Sequence, residues 1–465
     1  MKFAKPIIKL NFATLNSTPT KMKIWKFGGT SVGAPERMHS IAQLVNDGEK
    51  KIVVLSAVSG TTNALVEISA LSLKKDFEGA KNKAQELYTK YVPFVANLYS
   101  TEKGKAKGTA IIDEHFGLIK SHLKEGFSTV EEKLFLAQGE LISTKLFASY
   151  LQDSGRKAAL LPALDFMKTD ADNEPVIPFT EKELPKILAQ YPDVDLFITQ
   201  GYICRNDKGE VDNLQRGGSD YTATLIGAAI RAAEVQIWTD IDGMHNNDPR
   251  VVKRTYPIAE MSFDEAAELA YFGAKILHPT CIRPTQERNI PVRLLNTMAP
   301  KEKGTVITEK GAGVAFTAVA AKDGITAIKI RSTRMLLAHG FLRKVFEVFE
   351  KFKTSVDMIT TSEVAVSLTI DNPKHLDAIV AELNTFAVVD VDTDQTIVCV
   401  VGNFVAAKPG IALKVFNALK PIPLRMISYG GSENNISVLI ESQYKNEALN
   451  LINEGVFFAE VAMAH

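Results

Sequence analysis

The chain has 465 residues, 46% of them hydrophobic, and 54 basic side chains against 54 acidic ones. Two or three domains with sizeable cores are expected, and the neutral balance gives no reason to propose nucleic acid or an anionic membrane as a partner. No uncharged apolar run approaches the ~18–20 residues that a membrane span needs. The three cysteines form no CxxC pair and the eight histidines form no HxxxH or HExxH, so no disulfide framework or protein metal site is indicated and a reducing cytoplasm fits.

Residues 1–21 carry lysines and hydroxyl residues but no acid, no arginine and no long apolar run. They read as a disordered extension ahead of a chain start at Met22. Ile24–Phe27 reads as a short strand broken by Gly28-Gly29-Thr30-Ser31-Val32-Gly33. Pro35 and the apolar series Met38, Ile41, Ala42, Leu44 and Val45 mark an amphipathic helix. Lys51–Leu55 is a buried strand leading into the hydroxyl-rich loop 56–63 and another helix. Residues 74–130 are charged and helical in pattern, and Gln138–Ser143 lie on a further helix. A strand then ends at Thr199-Gln200-Gly201, followed by a polar hairpin and the loop 215–220. A small-residue helix, 221–233, and a buried strand, Val235–Trp238, close on Thr239-Asp240 and the turn Ile241-Asp242-Gly243. Strand, glycine or hydroxyl loop and helix, repeated, predict an α/β fold with helices on both faces of a sheet. Ligands of such a sheet sit beyond the carboxyl ends of its strands.

Several side chains in these loops suit anion chemistry. Lys26 stands two residues before paired glycines, where an ammonium reaches phosphates bridged by backbone amides. Ser219 or Asp220 is expected to cap the helix at 221, leaving the amides of Gly217 and Gly218 for an anion. Arg216 adds a planar fork for a carboxylate or phosphate. There is no GxxxxGK[ST], and Gly311-Ala312-Gly313-Val314-Ala315-Phe316 fails as a dinucleotide fingerprint at its last position. Taken singly, Glu140 and Lys275 are most simply solvated charges; the recurrence of the theme is what singles them out.

The second part of the chain repeats itself. Gly340–Phe346 recurs as Gly410–Phe416 and Ser362-Glu363 as Ser432-Glu433, both offset by 70, while Met358-Ile359 recurs as Met426-Ile427 at offset 68. Each copy reads strand, helix, strand, strand, helix, strand, too small for a large independent core, so pairing with each other or with another chain is expected.

Seven segments in register, Lys-Phe-Gly-Gly-Thr-Ser at 26–31, Ser-Ala-Val-Ser-Gly-Thr-Thr-Asn at 56–63, Gly-Glu-Leu at 139–141, Arg-Gly-Gly-Ser-Asp-Tyr-Thr-Ala at 216–223, Trp-Thr-Asp at 238–240, Asp-Pro-Arg at 248–250 and Phe-Gly-Ala-Lys-Ile-Leu-His-Pro at 272–279, resemble aspartate kinase. The resemblance implies an amino-acid kinase three-layer α/β/α sandwich over 22–300 and a linker at 301–313. Two ACT (ferredoxin-like βαββαβ) domains follow, 314–386 and 387–465, with strands that can interleave. It implies phosphoryl transfer from Mg²⁺-ATP to the side-chain carboxylate of L-aspartate, which is ionised near pH 7 and needs no general base. By position, Lys26, Phe27, Gly28, Gly29, Thr30 and Ser31 would hold phosphates. Thr62, Glu140, Arg216, Gly217, Gly218 and Ser219 would hold aspartate, Glu140 meeting its ammonium. Asp220 would orient the lysines or Mg²⁺-ATP, and Thr239, Asp240, His245, Arg250 and Lys275 would line the nucleotide pocket. Magnesium would ride on the phosphates rather than on a protein site.

Two departures stand out: Gln215 replaces a glycine usual in the family, and His245 replaces a tyrosine. In the regulatory part the segment 335–357 resembles the lysine-inhibited members. Met335, Ala338, Phe341, Leu342, Ser355, Val356, Asp357, Ser362 and Glu363 would surround lysine, although Ala338 and His339 stand where serine and arginine are common. A homodimer or larger assembly through the ACT domains is expected. The alternatives are another amino-acid kinase, acting on glutamate, acetylglutamate or UMP, or a catalytically inactive ACT-type sensor. Retention of Lys26, Arg216, Asp220 and Lys275 argues against the sensor, and the paired repeat against the other kinases. A fused homoserine dehydrogenase is disfavoured because no nucleotide-binding domain follows.

Overall fold

A computed structural model describes residues 20–214, 217–273, 277–332, 339–403 and 409–458. Its first sheet is organised around Lys23–Phe27 (β1), a strand apolar on both faces and hence central. The kinase part continues with helix Pro35–Leu44 (α1), strand Lys51–Leu55 (β2) and four helices, Thr61–Leu73 (α2), Phe77–Leu98 (α3), Glu102–His122 (α4) and Thr129–Asp153 (α5). Then come Ala158–Leu161 (β3), Ile177–Leu188 (α6), Leu196–Gln200 (β4) and the small hairpin Ile203–Arg205 (β5) and Val211–Asn213 (β6). Gly218–Ile230 (α7), Glu234–Thr239 (β7), Glu260–Ser262 (β8), Phe263–Tyr271 (α8), Pro279–Glu287 (α9), Val292–Asn296 (β9) and Thr305–Thr308 (β10) complete it.

Eight of these strands form one sheet in the order β3-β4-β2-β1-β7-β9-β10-β8. All neighbours are parallel except β9 and β10. The alternation of side chains builds two cores. Trp25, Phe27, Val53 and Trp238 face the layer of α1 to α5, and Ile24, Ile52, Val235 and Ile237 face the layer that includes α7, α8 and α9. This is the expected α/β/α sandwich. Within the stretch read as a linker, Thr305–Thr308 is instead a strand, hydrogen-bonded between β9 and β8. Its Val306 and Ile307 supply what the charged flanks of the segment lack.

The remaining elements are Ala318–Arg331 (β11), Phe341–Lys351 (α10), Ile359–Thr361 (β12), Ala365–Ile370 (β13), Leu376–Leu383 (α11), Val388–Val401 (β14), Ile411–Ala418 (α12), Met426–Tyr429 (β15), Asn435–Glu441 (β16) and Lys445–Ile452 (α13). They form a six-stranded antiparallel sheet, β12-β13-β11-β14-β16-β15. The two long strands serve both repeats. Ile325–Arg331 and Val388–Asp392 complete the first copy, while Ala318–Lys322 pairs with Ile397–Val401. The fourth strand of the second copy therefore precedes the first copy in sequence, and the first copy is inserted into the second. Each copy keeps its own core, one around Ile328, Val345 and Leu368, the other around Val398, Val415 and Leu449.

Candidate functional site

The expected loops meet at the carboxyl ends of β1, β2, β4 and β7, on either side of the point where the chain leaves β1 for opposite directions in the sheet. Lys26 shares the parity of Ile24 and so points to the α7 side, where its Nζ lies 2.6 Å from Asp220 Oδ1. The same Nζ stands 3.5 Å from the place a Gly28 Cβ would occupy, above the glycine turn, and a Gly29 Cβ would come within 3.0 Å of the Ala57 carbonyl oxygen. Lys26 and the glycine turn beside it thus form a candidate anion cradle whose cation already has a counter-ion, with the Gly28 amide itself spent on the Trp238 carbonyl. The Asp220 carboxylate therefore pairs with Lys26. It does not cap α7, and neither does Ser219. The N-cap is Gly217, at φ 73, with no side-chain cap. Ser219 Oγ instead accepts from Ser56 Oγ at 2.9 Å.

Glu140 lies opposite, in the middle of α5. It is 4% exposed; its Oε1 accepts from the Ala57 amide at 3.2 Å, and its Oε2 is buried without a hydrogen-bond partner among the described residues. Burial pushes its carboxyl up to about 8, only partly opposed by that amide. The surroundings are well anchored: Ser143 Oγ donates to the Ser56 carbonyl at 2.8 Å and Thr144 Oγ1 to the Glu140 carbonyl at 2.7 Å. A buried carboxyl with one free oxygen and no cation against it among the described residues suits an incoming ammonium. Thr62 sits half-buried in the first turn of α2, whose N-cap Gly60 has φ 82. Gly201 is required by a close approach, since a Cβ there would lie 2.3 Å from the Ser219 side chain.

Of the residues expected on the nucleotide side, Phe27 has only its backbone to offer, since its ring stacks on Trp238 at 5.7 Å in the core. Thr30 is exposed, and Ser31 Oγ shares a hydrogen bond of 2.7 Å with Thr297 Oγ1. Thr239 and Asp240 close β7, the Thr239 hydroxyl donating to the Asp240 carboxylate at 3.1 Å. His245 departs from the expectation of a nucleotide contact, because both ring nitrogens are occupied, by Thr255 Oγ1 and Asp242 Oδ1, each at 2.9 Å. Arg250 wraps onto Asp248 through Nε and Nη2, with its side chain 83% exposed. Arg216 and Lys275, with Gln215, lie outside the described residues, as do Met335 and Ala338.

In the regulatory part, Gly340 (φ 86) starts α10, with Phe341 buried and Leu342 exposed. Ser355 is exposed and Val356 packs on the first repeat's core. The Ser362 amide donates to Ala365 and Glu363 is exposed. Asp357 is the surprise. Its side chain is 1% exposed; its Oδ1 accepts from Lys322 Nζ at 3.0 Å and from the hydroxyl of Tyr271, on kinase helix α8, at 2.7 Å.

A model of the amino acid kinase family matches residues 21–296 and a model of the ACT domain matches residues 398–455. "Aspartokinase 3, chloroplastic" of Arabidopsis thaliana is 35% identical over 97% of this chain and 84% of its own length. "Lysine-sensitive aspartokinase 3" of Escherichia coli is 32% identical over 94% of this chain and all of its own. Among solved structures, E. coli aspartokinase III in complex with aspartate and ADP superposes with a TM-score of 0.80 at 31% identity, over 94% of this chain and 100% of that one. The chain belongs to the aspartokinase family. It is a kinase with ACT domains, and the inactive-sensor and other-substrate alternatives fall away.

Within this aspartokinase, the sequence reading passed over some residues that build the site. Ser56 carries the hydrogen bond to Ser219. Gln200 donates through Nε2 to Thr144 Oγ1 at 2.9 Å and accepts from the Ala163 amide at 2.8 Å, bracing β4 against α5. Tyr202 holds φ 68, unusual for an aromatic residue, and its hydroxyl pKa is pushed up to about 12 by burial and then by Glu140. A Thr-Gln-Gly-Tyr run at a strand end was the available signal, because a glycine before a positive-φ residue marks a chain reversal at the ligand edge.

Proposed function

We propose that this aspartokinase binds aspartate between Glu140, Thr62 and the 216–219 loop, and ATP over Lys26, Gly28, Gly29 and the 239–250 loop. The observation that carries the reading is the pairing of two opposite environments across one cleft: a buried carboxyl at Glu140 with no cation against it among the described residues, and a lysine-bearing glycine turn at Lys26. The aspartate ammonium goes to Glu140 and its α-carboxylate to Arg216. The side-chain carboxylate is then left facing the phosphates. One of its oxygens bonds to the γ-phosphorus while the bond to the β–γ bridging oxygen breaks, the electron pair leaving with ADP. No proton moves, so the protein's task is alignment and charge neutralisation. Lys26, held by Asp220, follows the charge on the transferred group, and Lys275 is assigned the same work. Among the described residues no group of three or more His, Cys, Asp or Glu could hold a metal. Magnesium would enter on the phosphates, with water filling most of its shell. The test is a coupled assay with aspartate and with succinate, which lacks the ammonium. Turnover is expected with aspartate alone; comparable turnover of succinate removes Glu140 from ammonium recognition.

Regulation by lysine is the second part of the reading. E. coli aspartokinase III in complex with lysine and aspartate, at 30% identity, superposes with a TM-score of 0.76 over 94% of this chain. An effector at Gly340–Leu342 that engages Asp357 with an ammonium group has to compete with Lys322 and Tyr271. Binding then loosens a contact between kinase and regulatory parts, and inhibition follows from its preference for the loosened state. The competing Lys322, with Ala338 and His339, makes lysine a weak effector here. We assign the kinase unit to 22–308 and the regulatory unit to the residues beyond, acting as a dimer through its ACT repeats. Three buried free cysteines and no described helix long and apolar enough to cross a membrane suit the cytoplasm. Initial rates against lysine, threonine and methionine, for wild type and Asp357→Ala, test the effector; inhibition by threonine alone overturns it.

A further inference from the structure

A dense buried polar cluster that the reaction does not use joins the nucleotide loop to the second ACT repeat. After β7 the chain carries Asp240, His245 and Arg250, then turns back at Tyr256, and the middle of this loop rests on the regulatory part. Asn246, Asn247 and Asn453 are 0%, 2% and 0% exposed. Asn453 Oδ1 accepts from Nδ2 of Asn246 at 3.2 Å and of Asn247 at 3.3 Å. Asn453 Nδ2 donates to the Arg254 carbonyl at 2.9 Å, and Asn247 Nδ2 also donates to the Leu449 carbonyl at 2.9 Å. Asn246 clamps the loop onto itself, exchanging hydrogen bonds with the backbone of Tyr256, while its carbonyl accepts from the Val319 amide at 2.8 Å. Val251 and Val252 enter the second repeat's core, and the Arg254 guanidinium lies 4.0 Å from the centre of the Phe458 ring.

Asn453 opens a π-helical turn, Asn453–Phe457, directly after α13. Such turns are rare and gather at functional positions. Three buried amides are a costly way to fill space, and they repay desolvation only when their geometry is held. We propose that Asn453 is a positioning residue for the nucleotide: through Asn246 and Asn247 it holds the 239–250 loop in its ATP-binding shape, so the second ACT repeat sets ATP affinity. The aspartate residues ride on other elements, α2, α5 and α7, and are not reached by this cluster. The inference rests on the reading that the 239–250 loop lines the nucleotide pocket.

The experiment measures both Michaelis constants for Asn453→Leu, near in volume but without the hydrogen bonds, beside Asp240→Asn. Direct ADP binding is followed by calorimetry. In Asn453→Leu the KM for ATP and the ADP dissociation constant are expected to rise about 5- to 20-fold, against less than 2-fold for the KM of aspartate. The double variant Asn247→Leu/Asn453→Leu is expected to be no worse than the single, because one cluster is lost once. Equal changes in both KM values, or none in either, overturn the inference while leaving the pocket assignment standing if Asp240→Asn raises the KM for ATP. No effect of Asp240→Asn on ATP removes the pocket assignment and the inference with it. If Asn453→Leu does not fold, Asn247→Ala carries the same expectation.

Discussion

Glu140→Gln is the perturbation with the sharpest consequences, because substrate binding and protein stability respond to it in opposite directions. The wild-type carboxyl is raised to about 8 by burial, some three and a half units above its ordinary value. In the ligand-free protein the folded chain therefore holds a proton between about pH 4.5 and about pH 8 that the unfolded chain releases. Stability is full below that window and falls as pH rises through it, by at most on the order of 3–5 kcal/mol at about 1.4 kcal/mol per unit. Glutamine carries no such penalty and keeps an acceptor for the Ala57 amide, so the variant is expected to gain on wild type steadily from pH 5 to pH 8. Binding runs the other way. The aspartate ammonium needs Glu140 ionised, and at pH 7 only about one site in ten is. The wild-type KM for aspartate should fall about tenfold between pH 7 and pH 9. In Glu140→Gln it should be raised on the order of 10²-fold at high pH, the cost of losing one partner of a buried charge pair, and be nearly flat with pH. Thermal unfolding without ligand and initial rates from pH 6 to pH 9 measure both. A wild-type KM flat across that range, together with a stability difference that does not grow with pH, would refute the assignment of a protonated, buried Glu140.

Further expectations follow from the same geometry. Lys26→Met should lower kcat by on the order of 10²-fold or more, since it removes the cation of the phosphate cradle and leaves Asp220 unpaired; near-normal turnover in a folded variant excludes Lys26 from that role. Gly201→Ala forces a methyl group against Ser219, so a loss of about 1–3 kcal/mol and a raised KM for aspartate are expected in chemical denaturation and kinetics. An unchanged variant would mean the β4 edge is free to shift. Tyr271→Phe removes the kinase-side bond to Asp357 without touching the cleft, so lysine should inhibit at several-fold lower concentration, and the basal rate should not rise because the loosened state is already favoured. A raised half-inhibitory concentration would contradict the competition at Asp357.

Much of the sandwich and many loops of the candidate site were legible because they are written locally. Lys26 and the glycines after it, the Ser56 loop and the Gly217-Gly218 entry to α7 each lie within one strand–loop–helix unit, and the parity of β1 alone sends Lys26 toward Asp220. Glu140 was singled out by the recurring loop theme and by the resemblance; nothing within α5 itself distinguishes a carboxylate that faces the cleft from one that faces water. What escaped was non-local. The Lys322 and Tyr271 partners of Asp357 stand 35 and 86 residues away. The use of Ala318–Lys322 as the last strand of the second repeat is a pairing across the sheet that no periodicity announces. Asn246-Asn247-Asp248-Pro249 looks like an ordinary turn, and only tertiary packing turns its amides inward toward Asn453. His245 was read by what it replaces, whereas its local partners Asp242 and Thr255 decide where it points.

Hydroxylamine trapping tests most directly whether this cleft phosphorylates the side-chain carboxylate of aspartate. The full-length enzyme with Mg²⁺-ATP and L-aspartate is expected to accumulate aspartate hydroxamate in step with ADP, to form none from L-glutamate, and to lose the activity in Lys26→Met. ADP release without hydroxamate, or hydroxamate from glutamate in preference to aspartate, would contradict the account.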